Sequence, residues 1–366
     1  MLEKLNKIIS SYIETCEIES MRDFTFICKI INIYNSYPYE YKRMKYKKRV
    51  LPPESYAYAL DFFKEINPRY ATYLEQNKDS IYFSKDYNTK GSYCDTIDGK
   101  KIISVLSKES IEDAYDIVHE IIHHMTLEEE ISYARNLFCE TLSYLAEELQ
   151  YEYYEQQNIV DCQINSKKNI SVAYHISEQL EYELNFIKIY LENGIITIED
   201  LYNLCDESKN KDLYCNHLED ILNNGKLNII EFHRIVIGLI FAYYMLDNIH
   251  TDEISLQNFF ELNDNINNYE IEEFINYLNL KCKDDYILDL DDESYSKLEK
   301  SFVKILKSRC NSDKEKMVWL NDHLNDEDMT VLDGLDNIGG DFDKISIIDL
   351  VKNVEKNIEL ESEKKR

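Results

Sequence analysis

His119-Glu120-Ile121-Ile122-His123 is the stretch of this chain best suited to chemistry. On a helix, positions four apart share a face, so His119 and His123 can offer two imidazoles to one ion. Glu120 lies beside that ion and can hold or deprotonate a water. Zinc suits two imidazoles plus a carboxylate, because it is borderline soft and accepts four-coordinate geometry. Three fixed residues in five positions recur by chance, and the competing reading is a solvated helix face with scattered histidines. The chain has only 8 His, however, and His119, His123 and His124 are three of them, which favours a site. The apolar spacer Ile121-Ile122 also fits a helix that packs into a core. The third ligand must come from elsewhere, and the next apolar-periodic segment, 134–147, offers Glu140.

Several elements must position these residues. Lys101 to Leu106 reads as a short strand, and Ser107 or Ser110 can cap the helix that follows over 111–126. A second helix over 128–156 carries Glu140, Ser143 and Glu147 at intervals of three and four, hence on one face. Asn88-Thr89-Lys90-Gly91 and Asp98-Gly99 are turn signals between short strands. The strand at 101–106 is expected to be a sheet edge beside the cleft, where an extended peptide could pair by main-chain hydrogen bonds. Further on, 157–170 reads as a polar loop, 171–193 as a long helix and 197–223 as a helix pair. The apolar helix 226–247 carries His233 and Arg234, either of which could supply positive charge to a developing oxyanion.

The segments Gly91-Ser92-Tyr93-Cys94, Lys101 to Leu106, Ile111 to Glu120 and Phe138 to Glu147 together resemble the M3 family of zinc oligopeptidases, particularly its oligoendopeptidase F branch. The resemblance covers residues 85 to 150 well and 170 to 250 loosely. It implies a mainly α, zincin-like fold of the gluzincin type, with a small edge sheet beside the active-site helix. It implies one zinc ion held by His119, His123 and Glu140, with Glu120 as catalytic base and Ser143 and Glu147 in support. Glu147 would accept a hydrogen bond from a ligand histidine and set its tautomer. Gly91, Tyr93, Ile103 and Ser104 would line the substrate cleft, and the substrate would be a short or unfolded peptide. In that family a late helix brings histidine and tyrosine to the reacting carbonyl. Here His233 and Arg234 are the polar members, without clearly matching tyrosines. The alternative is therefore a zinc-containing module that binds a protein and catalyses little.

With 366 residues and 44% hydrophobic content, the chain can bury a large core. Only 4 Pro and 8 Gly favour long helices over a sandwich or barrel. Three regions are expected: helical 1–80, a catalytic core over 81–250, and an acidic helical 251–366 packed on that core. A formal charge of −29 repels nucleic acid and anionic membrane, and leaves an acidic surface for a protein partner. The basic run 41–49 stands out against it and reads as a solvated segment pairing with acidic surface. No leader is apparent and no apolar run reaches membrane-spanning length. The 9 Cys, odd in number and without paired spacing, fit a reducing cytosol, with leaderless export left open.

Overall fold

The computed structural model describes residues 1–15, 49–85, 91–126, 133–157, 162–208, 211–251, 261, 271–281 and 290–310. Side chains at 15, 133–136, 162–175, 177, 230–233, 271–273 and 306–310 lie outside that description. So do the basic run through Lys48 and all residues after Cys310.

Helices dominate, with one small sheet. After α1 (Leu2–Thr15) come α2 (Pro52–Ile66) and α3 (Pro68–Gln76). Both of these start on proline, whose fixed φ suits a first helical turn and whose missing N–H costs nothing there. Asn67 caps α3 by accepting from Arg69 N at 3.0 Å. Three strands follow, β1 (Ile81–Ser84), β2 (Tyr93–Ile97) and β3 (Lys100–Leu106), in the order β1-β3-β2. Then come α4 (Glu112–Thr126), α5 (Tyr133–Gln156), α6 (Cys162–Asn193), α7 (Ile198–Glu207), α8 (Lys211–Asn224) and α9 (Ile229–His250). Two further helices close the described chain, α10 (Ile271–Tyr277) and α11 (Asp292–Cys310). No described helix is long and apolar enough to cross a membrane.

Two expectations change here. β3 is not an edge: β1 pairs with it in parallel and β2 antiparallel, so both its sides are taken. Among the described residues, the free edges of the sheet are those of β1 and β2. The span read as a polar loop, 157–170, is helical from Cys162 onward, as the start of α6. Polar composition alone does not break a helix when neither Pro nor Gly interrupts it.

The chain divides into two compact units that interleave along the sequence. One takes its described residues from α1 and from Tyr174–His233, the other from Thr25–Ala173 and Arg234–Asp328. In the first unit, Asn6 is bonded twice to the backbone of Ile196, at 2.7 and 3.0 Å, which ties α1 to the turn before α7. At its centre, His217 of α8 meets Glu183 of α6 at 2.9 Å, and the other Glu183 oxygen accepts from Asn228 N at 2.8 Å. Both side chains are buried, so removing one leaves the other without full compensation. His217→Leu is expected to cost about 2 kcal/mol of unfolding free energy, read by denaturant titration. A midpoint equal to wild type would show that the pair stabilises nothing.

The second unit is organised around α4. This helix packs between β3 on one side and α2 and α5 on the others. Ala114, Tyr115, Ile117, Val118, Ile121 and Ile122 are all buried in it. Each Ile or Val side chain removed from water contributes roughly 1.5–3 kcal/mol before the entropy cost of ordering it. Tyr115 meets Tyr151 of α5 edge-on, with ring centroids 4.6 Å apart. At the N-terminus of α4, Ser110 Oγ accepts from Glu112 N at 3.3 Å, and Asp113 accepts from Ser107 Oγ and Lys108 N, both at 2.8 Å. The helix start is thereby anchored to the end of β3, which fixes where its next two turns point.

Candidate metal centre

Two turns into α4, His119 and His123 stand one above the other. Their Nε2 atoms are 3.1 Å apart. From the neighbouring helix α5, Glu140 brings its Oε2 to 3.6 Å from His119 Nε2 and 3.7 Å from His123 Nε2. These three residues could hold a metal ion, their ligand atoms all lying within 4.8 Å of one another. Two ligands at about 2.05 Å from a tetrahedral zinc stand about 3.3 Å apart, and the three observed edges bracket that spacing. The donor set of two imidazole nitrogens and one carboxylate suits zinc better than calcium or magnesium, which take oxygen.

The surroundings support those ligands. Glu147, two turns after Glu140 on α5, sets its Oε1 3.5 Å from His119 Nδ1. Its other oxygen accepts from Tyr151 at 3.1 Å. A carboxylate there holds the proton on Nδ1, leaving the Nε2 lone pair free for an ion. Tyr144 presses its ring edge-on to His119, with centroids 5.1 Å apart. Glu147→Gln is expected to weaken zinc binding by about 10- to 100-fold, measured by competition with a chromophoric chelator. Unchanged affinity would deny Glu147 this role. Ser143 is buried, and its hydroxyl has no hydrogen-bond partner among the described residues.

Glu120 is buried beside these three candidate ligands and is not among them. Burial pushes its carboxyl up, His119 and His123 pull it back, and Glu140 and Asp116 add to the rise. The result is a carboxylate more basic than one in water. Cys94 of β2 faces the same region. Burial raises its thiol to about 12, with Glu120 adding to the effect, so it is a poor nucleophile. His124 belongs to the other side of α4, where its Nδ1 meets the Tyr73 hydroxyl at 2.9 Å.

Arg234 of α9 approaches the centre from a third helix, its Nε 3.7 Å from Glu140 Oε1. The His233 side chain lies outside the described residues. Gly91 has φ +116°, open to glycine at little cost, and Tyr93 is half-exposed on β2. Ile103 is fully buried and Ser104 is paired between Tyr82 and Tyr93, so neither offers the open main chain expected of an edge strand. Sequence reasoning missed Tyr151 and Gly238. Tyr151 was open to discovery, lying four residues after Glu147 on the same face of α5; Gly238 carried no local signal.

The protonation of the metal-free site follows from these distances. Burial alone would lower His119, yet hydrogen bonds donated to Glu140 and Glu147 raise it well above its ordinary value. Burial also disfavours charged His123, but Glu140 and Cys139 raise it to about 9. Glu140 would rise on burial, but His123 and His119 hold it far below the usual carboxylate range. The folded metal-free protein therefore binds protons that the unfolded chain has released between about 6.5 and about 9. The stabilisation from His123 is whole below about 6.5 and is lost as pH climbs to about 9, and His119, also raised, acts in the same sense. Glu140 contributes in the opposite sense, above its ordinary value of 4.5 and lost as acid is added through its lowered one. Melting of metal-free protein should thus weaken from pH 6.5 to 9, while the stabilisation added by zinc grows as the ligands shed protons. A metal-free melting temperature that rises across this window would contradict the assignment.

Compared with models of known protein families, with curated proteins and with solved structures, the chain has no match.

Proposed function

We propose that this protein is a zinc-dependent peptidase, akin to the M3 oligopeptidases, acting on short or unfolded peptides. The observation that carries the reading is a buried Glu120 beside a His119–His123–Glu140 triangle of zinc-like dimensions. A structural metal site needs no such unligated carboxylate. Bound there, zinc would act as a Lewis acid toward the scissile carbonyl and lower the pKa of a water. Glu120 takes the proton from the attacking water and delivers it to the leaving amine. Its raised basicity suits both halves of that transfer. Glu147 keeps His119 in one tautomer throughout, and Tyr144 restricts the ring. An extended peptide pairs with the outer edge of β2, whose Cys94 already faces Glu120, and Tyr93 contacts it there.

One observation favours a second reading, a zinc-containing module that binds a protein partner. The tyrosines of α9 make contacts elsewhere. Tyr244 donates to Leu278 O at 3.0 Å, and Tyr243 stacks on Phe302 at 5.7 Å. The two readings separate when purified protein is assayed for zinc by elemental analysis and for cleavage of a broad unstructured peptide library. Stoichiometric zinc with cleavage supports the peptidase. Stoichiometric zinc without cleavage of any member supports the module.

A further inference from the structure

We propose that Arg234 and Gly238, one turn apart on α9, are positioning residues that hold Glu140 as a one-oxygen metal ligand. The inference rests on the metal-site reading. A carboxylate can give an ion one oxygen or two, and the choice sets how many positions remain open for water and substrate. Glu140 turns Oε2 toward both imidazoles and Oε1 toward Arg234. A guanidinium beside Oε1 competes for its lone pairs, which leaves Oε2 as the available donor. Arg234 Nε is buried without a hydrogen bond among the described residues, and the Glu140 carboxylate 3.7 Å away helps offset its desolvation.

Gly238 lets α9 come close enough for this. A Cβ at that position would stand 2.9 Å from Glu140 Cβ, 3.3 Å from Thr141 N and 3.4 Å from the Glu140 carbonyl carbon. Two of those three atoms are backbone, which cannot swing aside as a side-chain tip can. Any larger residue must therefore push α9 off α5 at the ligand itself. Arg234, on the same helix face, would retreat with it. Glycine inside a helix is unfavourable by roughly 0.5–1 kcal/mol relative to alanine, and close approach is a sufficient reason to tolerate it.

The experiment loads full-length wild type, Gly238→Ala, Arg234→Met and Arg234→Lys with zinc and, separately, with cobalt(II). Zinc affinity is read by chelator competition, and cobalt coordination by visible absorption. Gly238→Ala and Arg234→Met are expected to bind zinc about 10- to 100-fold more weakly. Their cobalt bands should lose intensity as Oε1 joins the ion and coordination rises, and Arg234→Lys should recover part of both signals. An Arg234→Met cobalt spectrum identical to wild type overturns the inference whatever its affinity. Should Gly238→Ala fail to fold, Arg234→Met decides alone. Wild-type protein that takes up neither metal would instead remove the metal-site reading, and this inference with it.

Discussion

Glu120→Gln is expected to keep its zinc and to lose peptide hydrolysis by about 10²- to 10⁴-fold in kcat. Glutamine matches glutamate in shape, so α4 should pack as before and the ligand triangle should persist. What disappears is a buried carboxylate beside the candidate ligands that is free to accept and return a proton. An amide does neither at neutral pH. The same change also removes a raised-pKa carboxyl from a buried site, so the variant should be no less stable to heat than wild type. Retained zinc with undiminished cleavage would exclude Glu120 as the base. Zinc lost together with activity would mean that Glu120 helps hold the ion.

His123→Ala is expected to remove the ion altogether under ordinary handling. His123 supplies two of the three edges of the triangle, at 3.1 and 3.7 Å. Structural zinc sites with four ligands bind with roughly 10–16 kcal/mol, so one ligand carries about 3 kcal/mol, or more than a hundredfold in affinity. Dialysis against a micromolar chelator should therefore strip the variant and spare wild type. His124→Ala is the matched control, one residue away and turned toward Tyr73. Equal zinc in His123→Ala and wild type would end the metal-site reading, and equal loss in both variants would point to damage to α4 instead.

How much of this could be read without coordinates depends on how local each cause is. The juxtaposition of His119 with His123, and of Glu120 beside them, follows from helical geometry within a single turn. The alignment of Glu140, Ser143 and Glu147 on one face of α5 follows from the same rule. β3, α4 and the α7–α8 pair could be bounded because their periodicity and turn residues agree with the final packing. The span after Gln157 could not, since Asn, Ser and Lys there are neutral toward helix and a polar composition mimics a loop.

Two imidazoles, a neighbouring carboxylate and a mainly helical chain could be derived from residue order alone, because these depend on contacts between residues a few positions apart. The packing of distant elements accounts for what remains. It brought Glu140 from α5 onto the imidazoles of α4 and put Glu147 behind His119. It gave the free sheet edges to β1 and β2 rather than β3, since pairing order is settled by which strands meet. It also laid Arg234 and Gly238 against Glu140 from nearly a hundred positions away, an approach that depends on two helix surfaces fitting and on no local pattern.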